Sequence, residues 1–68
     1  MSKLRQVRKQ RRLPMEVVAR TARCSVKHLW LWERWNIPPR RDIAERIAQA
    51  LDVSLTELEY IEPKTQEE

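Results

Sequence analysis

Residues 15–34, MEVVARTARCSVKHLWLWER, decide the fold. Val18, Ala19 and Ala22 fall at i, i+1 and i+4, a narrow apolar stripe that predicts a helix over about 14–21. Ser25 is a good N-cap, and Leu29 and Trp32 lie three apart on one face, which predicts a second helix over 25–35. Only Ala22-Arg23-Cys24 separates the two. Two helices joined this tightly cross at a steep angle, and the small Ala19 suits their closest approach. A pair of this kind can lay its second helix in a groove about 12 Å wide.

Outward from this pair the chain reads as further short helices. Residues 2–12 carry Leu4 and Val7 on one face, and Leu13-Pro14 ends that helix. Asn36-Ile37-Pro38-Pro39 stops the helix of 25–35, because a residue before proline avoids the helical region. Ile43, Ala44, Ile47, Ala48 and Leu51 give the clearest amphipathic spacing in the chain, over 40–51. Ser54-Leu55-Thr56-Glu57 is a capping box that predicts a short fifth helix ending near Glu59. Strands are poorly supported; only Leu58–Ile61 has the character of a short extended piece. The expected organisation is one all-α, five-helix domain over 1–62 and a disordered acidic tail over 63–68.

Composition narrows the function. Of 68 residues 35% are charged and none is glycine. Residues 1–41 hold twelve Lys/Arg against two Glu, a formal +10, while 42–68 hold two basic and eight acidic residues, −6. A basic half suits a polyanion, since each cation placed on a phosphate releases counterions. No segment approaches the roughly 18 apolar residues of a membrane span, and no apolar stretch follows the basic N-terminus as in a signal peptide. One cysteine, Cys24, excludes an intrachain disulfide and suits a reducing, cytoplasmic setting. A core this small gains from self-association, so a homodimer is expected. Cys24 and His28 have no neighbours at metal spacing and no third group to form a catalytic set. Without glycine there is no phosphate-cradling loop. No enzyme activity, cofactor or metal is expected.

The ordered set of motifs resembles the lambda-repressor/Cro-like helix-turn-helix family. It is carried by Leu4-Arg5-Gln6-Val7-Arg8, Val18-Ala19, Cys24-Ser25, Leu29 and Trp32-Glu33-Arg34, then Pro39, Ile43, Ile47-Ala48, Leu51-Asp52-Val53-Ser54-Leu55 and Leu58. The match covers residues 3–58. The resemblance implies a five-helix fold and transcriptional regulation, read here as repression. It also implies dimeric binding to a pseudo-palindromic site on double-stranded DNA. It places recognition on the exposed side of the helix of 25–35, which holds Val26, Lys27, His28, Trp30, Leu31 and Arg34. It further implies an ion pair between Arg8 and Glu33. The chain departs from the family in three places. Arg23 stands where the turn usually has glycine, so a local change of the turn is expected. Met15 stands for a frequent glutamine, and Trp35 for another glycine.

Lys27 is the best base-reading candidate, because its ammonium can donate to a guanine edge. Arg34, Arg40 and Arg41 are phosphate candidates, the latter two at a helix start, with Arg11, Arg12 and Arg23 bordering the helix pair. Val26, Trp30 and Leu31 either meet thymine methyls or dock a protein, or Trp30 folds back on the domain. Trp32 is expected in the core, and Trp35 over the core or in a dimer contact. Leu55, Leu58, Tyr60 and Ile61 exceed what a small core needs and are the expected dimer contacts. Two rival readings stay open. Residues 29–41 also look like the helix and wing entry of winged-helix regulators and excisionases. The apolar recognition face equally suits an interaction adaptor that has lost DNA binding.

Overall fold

A computed structural model describes residues 2–62; the tail expected over 63–68 lies outside the described residues. Four helices run in chain order: α1 (Lys3–Gln10), α2 (Met15–Ala22), α3 (Val26–Trp35) and α4 (Arg41–Ala50). Ser2 caps α1, its hydroxyl accepting from the Arg5 amide at 3.4 Å. Pro14 sits one residue before the helical turn expected for it, as the N-cap of α2, where its missing N–H costs nothing. Each helix turns its apolar stripe inward. Leu4, Val7, Val18, Ala19, Ala22, Leu29, Trp32, Ala44, Ile47, Ala48 and Leu51 form one core. In it α4 packs on α2, α2 on α3 and α1 on α3. The small side chains of Ala19, Ala22, Ala44 and Ala48, all buried, let these backbones approach.

The fifth helix is corrected. The capping box is made in full: the Ser54 amide donates to Glu57 Oε1 at 2.9 Å and the Glu57 amide to Ser54 Oγ at 3.2 Å. The bonds that follow, Leu58 N–H to Leu55 O and Glu59 N–H to Thr56 O, are three residues long. Glu59 then turns left-handed at φ 55° and the Tyr60 amide closes back on Leu55 O, so the segment is a tight turn and not an α-helix. Among the described residues there are four helices and no strand. That leaves neither the extended piece at Leu58–Ile61 nor a wing hairpin; α4 occupies the place where the winged-helix alternative needs one.

Two polar contacts fix α3. Arg8 on α1 and Glu33 on α3 meet as a two-pronged pair, Nε to Oε2 at 2.6 Å and Nη2 to Oε1 at 3.0 Å. A third guanidinium nitrogen donates to Leu13 O at 2.8 Å. The Arg8 and Glu33 side chains are 12% and 3% exposed, so the pair is enclosed and charge-assisted. The second contact is at the α2–α3 turn. Arg23 adopts φ 58°, ψ 46°, so the turn keeps a left-handed residue without glycine, and the expected local change does not occur. From α4, Arg46 Nε donates to Ala22 O at 2.8 Å and steadies the turn. The Cys24 amide bonds Ala19 O at 2.9 Å, and burial raises the pKa of the half-buried Cys24 thiol.

These two features predict opposite stability changes. Glu33→Gln leaves the Arg8 charge enclosed without its partner and costs about 3 kcal/mol; thermal unfolding followed by circular dichroism falls by roughly 12 °C or more. Arg23→Gly relieves a left-handed side chain worth about 1 kcal/mol and raises the midpoint by roughly 4–8 °C. A neutral Glu33→Gln or a destabilising Arg23→Gly contradicts these assignments.

Candidate nucleic-acid interface

Helix α3 buries Leu29, Trp32 and Glu33 and turns its other sides outward. Val26 and Lys27 are exposed in its first turn, and His28 is half-buried. Ser25, at the N-cap position, directs its hydroxyl to His28 Nδ1 at 3.2 Å rather than to the helix backbone. Leu31, one turn beyond Lys27, is half-buried, and Arg34 is exposed. Lys27, Leu31 and Arg34 therefore follow one another along the helix at i, i+4 and i+7.

Trp30 does not fold into the core: it is 42% exposed. Its ring meets Trp35 edge-on at 6.2 Å, and the Arg34 guanidinium lies 5.8 Å from its centroid. Trp35 is 59% exposed, which corrects the expectation that it covers the core. The left-handed Asn36 immediately after it ends α3 at that point, and the chain leaves with Trp35 still outside.

The other candidate cations lie outside α3. Arg11 and Arg12 are exposed after α1, and Arg23 is exposed in the turn between α2 and α3. Arg40 and Arg41 open α4, and both side chains are largely exposed. Each has a carboxylate near it, Arg40 with Asp42 at 3.8 Å and Arg41 with Glu45 at 3.1 Å. Exposed pairs of this kind contribute little and exchange readily with another anion.

A cleft of about 270 Å³ between α1 and α3 was not expected from sequence. Arg5, Lys9, Met15, Trp30 and Arg34 border it, beside the Arg8–Glu33 pair. Arg5 and Lys9 stand one helical turn apart, a spacing visible in the sequence. Their nearness to Trp30 depends on how α1 crosses α3, which no local signal encodes.

The dimer candidates come out differently from the expectation. Leu58 is 1% exposed and belongs to the monomer core. Leu55 packs partly against that core. Tyr60 donates to Pro39 O at 2.9 Å and meets the Trp32 ring edge-on at 5.7 Å. Burial and the neighbouring Glu62 raise the pKa of its hydroxyl. Only Ile61 is fully outside, at 76% exposure. The turn at Glu59 folds Leu58 and Tyr60 back onto the core, which is why the count of spare apolar residues was too high.

Among the described residues no group of His, Cys, Asp or Glu is placed to hold a metal ion. No helix among them is long and apolar enough to cross a membrane. No curated protein matches the chain. The profile of a helix-turn-helix domain family matches residues 2–61, in line with the lambda-repressor/Cro-like resemblance. The chain belongs to that helix-turn-helix domain family.

Proposed function

We propose that this chain is a sequence-specific regulator of transcription that binds double-stranded DNA through α3. Family membership implies DNA binding. The observation that carries the finer reading is the outward side of α3: Lys27 stands exposed beside Val26 in the first turn, while Leu29, Trp32 and Glu33 anchor the opposite side. In this reading Lys27 donates to a guanine edge and Val26 and Leu31 meet thymine methyls. Arg40 and Arg41, at the start of α4, take phosphate oxygens, with Arg11, Arg12 and Arg23 adding diffuse positive charge. His28 orients with Ser25 at the edge of the contact. One ten-residue helix spans only a few base pairs, so more than one copy occupies a regulatory site, with half-sites about 34 Å apart. The role is that of a binding module and not a catalyst.

Selection of genomic fragments by the purified chain tests this. Lys27→Ala flattens the preference at one base-pair position, a discrimination of about 1–3 kcal/mol, and leaves the rest of the site intact. Arg40→Ala weakens every sequence alike and lowers the slope of log affinity against log salt by about 1. Selection unchanged in both variants removes these assignments, and affinity that does not respond to salt removes the DNA reading itself.

A further inference from the structure

The cleft between α1 and α3 combines two features that ask for one kind of occupant. Its wall holds the exposed face of Trp30 beside Met15, which favours an apolar side chain. Four cationic side chains and one carboxylate border it, and that carboxylate, Glu33, is neutralised by Arg8. Lys9 and Arg34 therefore set a positive potential at the rim of an aromatic surface.

The chain carries the complement of this cleft on its own C-terminal segment. Glu59-Tyr60-Ile61-Glu62 presents one apolar side chain, Ile61, 76% exposed, between exposed carboxylates. Glu62, Asp42 and Glu45 lie close enough to act on the Tyr60 hydroxyl, as does Arg41, so carboxylates predominate around it among the described residues. Tyr60 is pinned by Pro39 O and Trp32, so the chain leads into Ile61 from a fixed point, which lowers the ordering cost of docking it. Within one chain Ile61 stays outside and Trp30 stays open.

We propose that Ile61 of one copy docks against Trp30 of another, with Glu59 and Glu62 set over Lys9 and Arg34 of the receiving cleft. The contact joins two different surfaces, so it is head-to-tail and not two-fold symmetric. It is small, well below the roughly 1,200 Å² of a stable interface, so it is weak and concentration-dependent in free solution. Where two copies already sit on one DNA, which rests on the DNA-binding reading, the raised local concentration makes the same contact effective and favours sites arranged as direct repeats.

Sedimentation of the full chain without DNA tests the contact independently of that reading. At low ionic strength the average mass rises above the monomer with concentration, and it returns to the monomer near 1 M salt, where the screening length is about 3 Å. Two doubly substituted chains sharpen the test: Lys9→Glu with Arg34→Glu, and Glu59→Lys with Glu62→Lys. All four positions are exposed, so both chains keep the helical spectrum of the parent. Each alone associates at least about tenfold more weakly, because cleft and segment now repel. An equimolar mixture associates again, since opposite charges then meet. A parent chain that stays monomeric at every concentration in low salt overturns the proposal. So does a Lys9→Glu, Arg34→Glu chain that associates as the parent does, which is the result expected if Ile61 meets Ile61 across a symmetric dimer.

Discussion

Every helix of this chain has to end without glycine, and that constraint shapes the whole structure. Five of the described residues take a left-handed backbone, Arg12, Arg23, Asn36, Asp52 and Glu59, and the chain contains no glycine to relieve any of them. Each costs about 1 kcal/mol against glycine, somewhat less for Asn36 and Asp52. The same local arrangement follows each time. The next residue sends its amide back to a carbonyl near the helix end: Leu13 to Arg8, Cys24 to Ala19, Ile37 to Leu31, Val53 to Ala48 and Tyr60 to Leu55. All of these following residues except Ile37 also pack against the core. Burying such a side chain is worth about 1–3 kcal/mol, enough to offset the strained residue before it. The polar residue turns the chain and the apolar one fastens it.

The turn at Arg23 is where this constraint meets function. Its left-handed geometry sets the angle between α2 and α3, and Arg46 reaches from α4 to the Ala22 carbonyl beside it. At the other end of α3, Glu33 is held by Arg8, which also takes the Leu13 carbonyl after α1. Helix α3 is thus held by Arg8 near its end, and the turn that leads into it is held by Arg46. No buried side-chain nitrogen or oxygen among the described residues lacks a partner, so these grips carry no uncompensated polar cost. A helix held this way presents Lys27 and Leu31 at a fixed angle, which lowers the ordering cost of any contact they make.

What was legible in the sequence follows from the range of the interactions involved. The four helices and their core faces were readable, because period, caps and prolines are local signals; Ile43, Ala44, Ile47, Ala48 and Leu51 needed no knowledge of the rest. The Arg8–Glu33 contact spans 25 residues and came only through the family resemblance. The fifth helix failed in an instructive way. The box at Ser54–Glu57 was read correctly as a start, but a start does not guarantee a helix, and Glu59-Tyr60 repeats the polar-then-apolar ending of the other four. The same polar-then-apolar pair follows each of the four helices, at Arg12-Leu13, Arg23-Cys24, Asn36-Ile37 and Asp52-Val53, and Glu59-Tyr60 closes the turn in the same way. Leu58 was misplaced for the same reason, since that ending is what folds it into the core. The cleft beside Trp30 and the exposure of Trp35 depend on helix crossing, and no spacing rule reaches them.

The uneven charge of the chain then takes on a structural meaning. Positive charge alone, +10 over residues 1–41, does not separate a groove-reading helix from a docking surface, because both attract anions. Position along α3 does separate them. Its first turn offers Lys27 and Val26, a donor and a small apolar side chain of the kind that suits base edges. From its middle to its end it offers Trp30 and Trp35 with Arg34 held over the Trp30 ring, a broad apolar area that a phosphate backbone does not need. A polyanion uses the charge and leaves those rings wet; an acidic segment with an apolar residue uses both. On the proposals above, one ten-residue helix serves two partners, and the Arg8–Glu33 pair beneath its last turn holds both sets of side chains in one frame.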